Sequence, residues 1–404
     1  MLYSTTGRSE NMRKKICNHT NSVVAMVVML MLGLAATRAQ AGTRYVVTND
    51  DFSGNFTLNT LTFYTVEANG NLVLNKKVQI GVTGLPGGFF PAQRVVSLNA
   101  AGNQCVFASE AATGLISGVD VPTLTYTGDA QGTANDTGLS NGIGLALNSQ
   151  YLYASFTDDS VIGTFQIMPN CSLSFIGDLP VLGLQGGTAD GMAVHGNLMV
   201  VTYGDGSIES FNIANGIPVS NGDQQNSTGS AAGNSYPSAI DITRDGHFAL
   251  FGDTSTATMI EVSDISSGKL AKTVVYKSAA GVNSSNILLS PDESILYIAN
   301  TQGDAVTAAF FNRKTGSLGR SCMSNYLRGY SSVFSYLSGL AVPSPKGNGG
   351  GVYVAEFGVP AGIAMIQLTV SNGTCSMHEA PGSPVRDPNS PGLLSITNFP
   401  PRDF

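Results

Sequence analysis

The groups able to do chemistry in this sequence are mostly carboxylates, and they recur at a regular place. Asp50 and Asp51, Glu110, Asp158 and Asp159, Asp205, Asp253, Asp304 and Glu356 each come just after a short apolar run. Carboxylate oxygens gathered on one rim would suit a hard cation such as Ca²⁺. An Asp just ahead of the next run, as in "DSV", "DGSI" and "DAV", also reads as a turn cap that accepts backbone N–H groups. Glu110 and Glu356 are longer and less suited to capping, so they stay candidates for a site. Arg94 heads an apolar run, and Asp190 and Asn286 stand at comparable places in others. The arginine could hold a small carboxylate while Glu110 or Asp190 acts as base toward water. It could equally pair with a nearby acid. Arg94, Glu110 and Asp190 are the catalytic candidates; Asn286 and Glu356 are the ligand-binding ones.

Other chemistry is sparse. Beyond residue 41 the histidines are His195, His247 and His378, placed in turns or on an outer run, with no two set to cooperate. No HExxH, GxSxG, P-loop or EF-hand pattern occurs. Cys105, Cys171, Cys322 and Cys375 are widely spaced without a CxxC, which speaks for disulfides over zinc. Four thiols allow three pairings. No metal ligand set and no resident cofactor is expected, the acidic rim aside.

The elements that must position these groups repeat about every fifty residues. In "NILLSPDESILYIANTQGDAVTAAFFNRKTGSLG" (286–319) three short apolar strands and a weak fourth are divided by Pro, Asp, Asn and Gly turns, a hairpin signal. Second strands ("RYVVTN", "CVFAS", "YLYAS", "LMVVTY", "FALFG", "ILYIAN", "VYVAE") occur seven times, and so do third strands. First strands occur six times until "GLLSI" (392–396) is added. The spacing predicts an all-β, seven-bladed β-propeller of four-stranded antiparallel blades. The C-terminal strand joins the N-terminal blade and closes the ring. Fourth strands read as polar and poorly defined. "NGDQQNSTGSAAGNS" (221–235) reads as a mobile polar loop between blades.

"SPDESILYIANTQGDAVTAAFFNRKTGSLG", "YVVTND" and "PSAIDITRDGHFALFGD" resemble the repeat of lactonase-type seven-bladed propellers and their YVTN-repeat relatives. The resemblance covers residues 42–404. It implies a polar site over the central channel and a hydrolase or cycloisomerase acting on a small lactone. Arg94 falls near the family's Arg. Val95 stands where its His would be, and Gln302 where a second Arg would be. A non-catalytic propeller binding a protein or a small ligand is the alternative, and a surface-layer component the third.

Residues 1–41 read as a secretory signal: a basic "MRKK", an apolar run over 23–36 too short for a span of about 20 residues, and "AQA" before a cleavage site near Ala41. The propeller domain is then 42–404, secreted or periplasmic, a monomer without a membrane span. Removing the leader leaves 15 basic and 26 acidic residues. That balance repels nucleic acid and anionic membranes. Charged residues are 12% of the chain, against about 25% in ordinary domains, and Gly, Ser, Thr and Asn take their place.

Overall fold

Val, Ile, Tyr and Phe crowd the short runs, and β-branched or aromatic side chains favour the pleated, half-buried surface of a strand. The runs form thirty strands in a computed structural model that describes residues 43–50, 58–83, 93–110, 113–132, 143–227, 237–253, 259–277, 284–300, 305–325, 327, 336–342, 351–357, 362–386 and 395–402. The leader expected over 1–41 lies outside them. Residues Arg44–Phe404 form one compact unit.

The strands make seven antiparallel sheets. Blade 1 holds β1 (Tyr45–Asn49), β2 (Leu58–Val66) and β3 (Leu72–Thr83). Blade 2 holds β4 (Val95–Ala100), β5 (Asn103–Glu110), β6 (Leu115–Asp120) and β7 (Thr125–Gln131). Blade 3 is β8 (Ile143–Leu147), β9 (Tyr151–Phe156), β10 (Val161–Ile167) and β11 (Leu173–Pro180). Blade 4 is β12 (Ala189–His195), β13 (Leu198–Tyr203), β14 (Ser207–Ala214) and β15 (Ile217–Ser220), with β16 (Gln225–Asn226) added to β14. Blade 5 is β17 (Pro237–Ile242), β18 (Phe248–Asp253), β19 (Met259–Asp264) and β20 (Val274–Lys277). Blade 6 is β21 (Ser284–Leu289), β22 (Ile295–Asn300), β23 (Ala305–Asn312) and β24 (Ser317–Met323). Blade 7 is β25 (Tyr336–Ala341), β26 (Gly351–Phe357), β27 (Gly362–Ser371) and β28 (Thr374–Glu379), with β29 (Val385–Arg386) added to β27. The last strand, β30 (Ser395–Phe399), returns to blade 1.

The ring therefore closes as the repeat count requires. β30 pairs with β1 from Tyr45↔Phe399 to Asn49↔Ser395. The closing strand sits a few residues later than "GLLSI"; Ser395 and Ile396 are shared, and 392–394 lie outside the described residues. Core side chains fill the spaces between blades rather than one centre. Val47 and Phe63 of blade 1 meet Val95 and Val106 of blade 2. Leu98 and Phe107 of blade 2 meet Leu152 and Phe165 of blade 3. Asn-Gly turns bend the chain at Asn215–Gly216 and Asn372–Gly373, where all four φ values are positive, as a tight hairpin demands. At Gly216 the ring of Tyr151 also leaves no room for a Cβ.

Two expectations need correction. The outermost strands are not merely polar: Val73, Leu74, Phe175, Ile176, Ile217, Val219 and Val274 are exposed on them. Adjacent pairs such as Val73–Leu74 and Val274–Val275 point to opposite faces and are both exposed, so these strands meet water on both faces and keep side chains that suit a pleated strand. The segment over 221–235 is anchored in its first half. Asp223 accepts hydrogen bonds from the Ser210 amide at 3.0 Å, from the Ser210 hydroxyl at 2.6 Å and from the Leu270 amide of blade 5 at 2.7 Å. Residues 228–235 lie outside the described residues. The cysteines pair as Cys105–Cys171, blade 2 to blade 3, and Cys322–Cys375, blade 6 to blade 7.

Candidate functional site

Inner strands run from one end of the channel, here the entry end, to the other. Antiparallel pairing puts the ends of the second strands at the same entry end. In blades 4, 5, 6 and 7 the inner strand carries a bulge there, the register stepping over one residue: Asp190, Ser238, Ser285 and Ser338. Bulges re-aim side chains next to sites. Gly191 and Asn286 come directly after the bulges of their blades and pair with Thr202 and Ala299. The carbonyl of Arg94 accepts from the Ser109 amide in the equivalent place. Asp190 thus lies one step further out, level with Gln93.

An axial cavity of about 170 Å³ runs between the inner strands. At the entry end it is lined by Gln93 and Asn286. Gln93 is pinned by two donations from Nε2, to the Val95 carbonyl at 2.6 Å and the Ile396 carbonyl at 3.0 Å. Asn286 Nδ2 reaches its Oε1 across the axis at 3.5 Å, a loose contact. The far end is closed by the tail after β30. Arg402 donates Nη2 to Asp241 Oδ1 at 2.7 Å and Nη1 to Oδ2 at 2.9 Å, and bonds the Ile242 and Leu289 carbonyls. Between the ends the wall is mainly apolar, from Leu145, Met192, Ile240, Leu288 and Leu340, with Ser97 and Thr397 among them.

Blade 4 carries two carboxyls whose surroundings drive them apart. Asp190 is 8% exposed. Burial, and then the charge of Asp205, push its pKa up to about 7. The Gly204 backbone lies against its carboxyl: a Cβ there would stand 3.3 Å from Oδ2. Burial works to raise Asp205 as well, but four hydrogen bonds hold it below the usual range. Its donors are the Ser207 hydroxyl at 2.6 Å and the amides of Gln185 at 2.6 Å, Ser207 at 3.0 Å and Gly187 at 3.1 Å. Gly183 and Gly187 fold directly onto this carboxylate, where a Cβ would collide. Paired carboxyls with separated pKa values mark acid–base roles.

The sequence-predicted residues divide between two places. Asn286 lines the axial cavity, and Asp190 immediately precedes Gly191, which also lines it. Arg94 is 1% exposed. Its amide donates to the Ser395 hydroxyl oxygen at 3.1 Å and its carbonyl accepts from Asn49 Nδ2, so its backbone ties blade 1 to blade 2. Glu110 and Glu356 lie away from the cavity lining. By register Asp50, Glu110, Phe156, Tyr203, Asp253, Asn300 and Glu356 occupy one equivalent position in the seven blades, and all are buried. Ser117 Oγ bridges Glu110 and, at 2.5 Å, Asp129. Glu356 pairs with Arg386 at 3.3 Å. Asp50 accepts from Thr60 and Thr62 at 2.6 and 2.8 Å. The acids expected on one rim are therefore mixed: buried groups at the blade ends, the turn cap Asp205, and Asp158 and Asp159 exposed in the turn after β9. Asp51 and Asp304 lie outside the described residues. Among the described residues no three His, Cys, Asp or Glu side chains converge on a point fit for an ion.

His195 ends β12 against Gly246, His247 stands in the turn after Gly246, and His378 of the outer strand β28 contacts Gln367 of β27. Sequence reasoning missed Gln93, Arg402 and Asp241. Asp241 had a signal: a lone carboxylate in the apolar inner strand "SAIDI" needs a partner.

No family model matches this sequence, and no curated protein matches it. Solved structures do. The fold they share with this chain is the β-propeller, here of seven blades. A Bacteroides fragilis protein described as a candidate 6-phosphogluconolactonase is 14% identical, with 89% of this chain and 99% of that one covered at a TM-score of 0.64. The Pseudomonas aeruginosa periplasmic gluconolactonase is 16% identical, with 70% and 82% covered at 0.51. A Lactobacillus plantarum protein is 12% identical, with 88% and 99% covered at 0.62. At such identities the lactonase-type likeness is one of architecture. No helix among the described residues is long and apolar enough to cross a membrane.

Proposed function

We propose that this chain is an exported lactonase-type propeller that hydrolyses a small lactone at the entry end of the channel, with Asp190 as the base. The observation that carries this reading is the Asp190 carboxyl, buried at a bulge next to Gly191 of the cavity wall, where burial and the charge of Asp205 push its pKa up to about 7. Catalytic acids and bases work best with a pKa near the working pH. In its ionised form Asp190 takes a proton from water as the water oxygen bonds to the lactone carbonyl carbon. The bond from that carbon to the ring oxygen then breaks, and the ring oxygen takes the proton back from Asp190. A hydroxy acid leaves and the carboxylate is restored. Asn286, whose amide makes only the loose contact to Gln93, can donate to the carbonyl oxygen as negative charge develops there. Export is supported by the disulfides between blades, which suit an oxidising compartment, and by the leader-like 1–41.

Purified protein is expected to open members of a panel of sugar and aliphatic lactones. Asp190→Asn should lower kcat/KM by at least about a hundredfold, with melting as cooperative as in the wild type. No hydrolysis by the wild type, or full activity in the variant, removes the catalytic reading.

A further inference from the structure

We propose that the lactone taken at this mouth bears a short unbranched alkyl chain, which lies down the axial bore toward Arg402. This deepens, and rests on, the reading of Asp190 as base. The bore is a built apolar site. Leu145, Met192, Ile240, Leu288, Leu340 and Val342 come from five different blades to line it. Its volume of about 170 Å³ is close to that of an engineered cavity of about 150 Å³ that stays dry and accepts benzene, so it matches a chain of about six carbons.

Most polar groups that reach its wall are bonded within the protein, the Thr397 hydroxyl being the exception. Ser97 Oγ donates to the Asn398 carbonyl at 2.6 Å. Asn398 accepts from the Val342 amide at 3.3 Å and donates to the Pro400 carbonyl at 2.6 Å. Asp241 takes both Arg402 nitrogens and the amides of Ile242 and Leu289. A hydroxylated or phosphorylated sugar entering the bore would lose its water and gain few partners, which is costly. A methylene loses nothing polar. The collar of Gln93 and Asn286 suits the polar lactone ring, beside Gly191 and the base that precedes it. Polar head and apolar tail thus find matching surroundings along one axis.

The test uses the full wild-type chain and γ-lactones whose unbranched side chain grows from none to five carbons. Burial of each added methylene should raise kcat/KM about fourfold until the bore is filled. A flat or falling series, or a preference for gluconolactone, overturns the proposal. Calorimetric binding of the same series to Asp190→Asn separates the bore from the base. Chain-dependent binding without hydrolysis by the wild type keeps the bore and removes Asp190 as base. Hydrolysis without chain dependence keeps the base and removes the bore. Neither binding nor hydrolysis removes both. Met192→Gln, which sets an amide in the wall, should flatten the series; should it fail to fold, the wild-type series still decides.

Discussion

A carboxyl group held beside a second carboxylate and away from water resists losing its proton, and through Asp190 this ties the stability of the chain to pH. Its folded-state pKa is raised to about 7 from an ordinary value of 3.8. Between those pH values the folded chain keeps a proton that the unfolded chain has released. The stabilising contribution is complete below about pH 4 and is lost as pH rises through 7. Asp190→Asn removes the ionisation. It should match the wild type in urea melts at pH 4 and exceed it at pH 8, by on the order of 4 kcal/mol at most. An equal difference at both pH values would contradict the assignment. Asp190 was legible in the sequence as a polar residue heading an inner strand. Its true level was not, because a bulge adds a residue that periodicity cannot register. Asp205 was legible as a cap. Its effect on Asp190 was not, since that depends on Gly183 and Gly187 closing around it in space.

At the scale of elements, the inner strands and the tail after β30 decide the shape of the channel. "FPPRDF" reads in the sequence as a proline-rich end, yet Arg402 carries a bidentate pair to Asp241 across the axis. A partner 161 residues away leaves no local pattern to read. With the two side chains 7% and 10% exposed, removing one partner strands the other. Arg402→Ala should cost about 3–5 kcal/mol, whereas Asp241→Leu with Arg402→Met should return close to wild-type stability. A double-mutant cycle by chemical denaturation measures this; two additive losses would show that the pair is not what holds the tail. The second and third strands were the most legible elements, because turn residues bound them and both faces are apolar. The outer strands were the least legible, since water reaches both of their faces and leaves no strict alternation.

The whole ring was legible from arithmetic: seven second strands, seven third strands and a first strand left over. The cross-blade disulfides were not, because four cysteines do not state their partners. They span 66 and 53 residues between blades 2 and 3 and blades 6 and 7, so on a chain-entropy account each should contribute about 4 kcal/mol. Replacing Cys105 and Cys171 together by Ala should lower the denaturant midpoint accordingly, and an unmoved midpoint would mean the other inter-blade contacts suffice. The return of β30 to blade 1 also bears on biosynthesis. A ribosome makes Tyr45–Asn49 before the six other blades and Ser395–Phe399 after them, so the ladder groups of β1 wait for their native neighbour while those blades are made. A nascent or prematurely terminated chain keeps that edge bare, and the matching tail of another molecule can fill it. Crowded polysomes should therefore favour exchanged dimers, and a holding chaperone acting before release should suppress them.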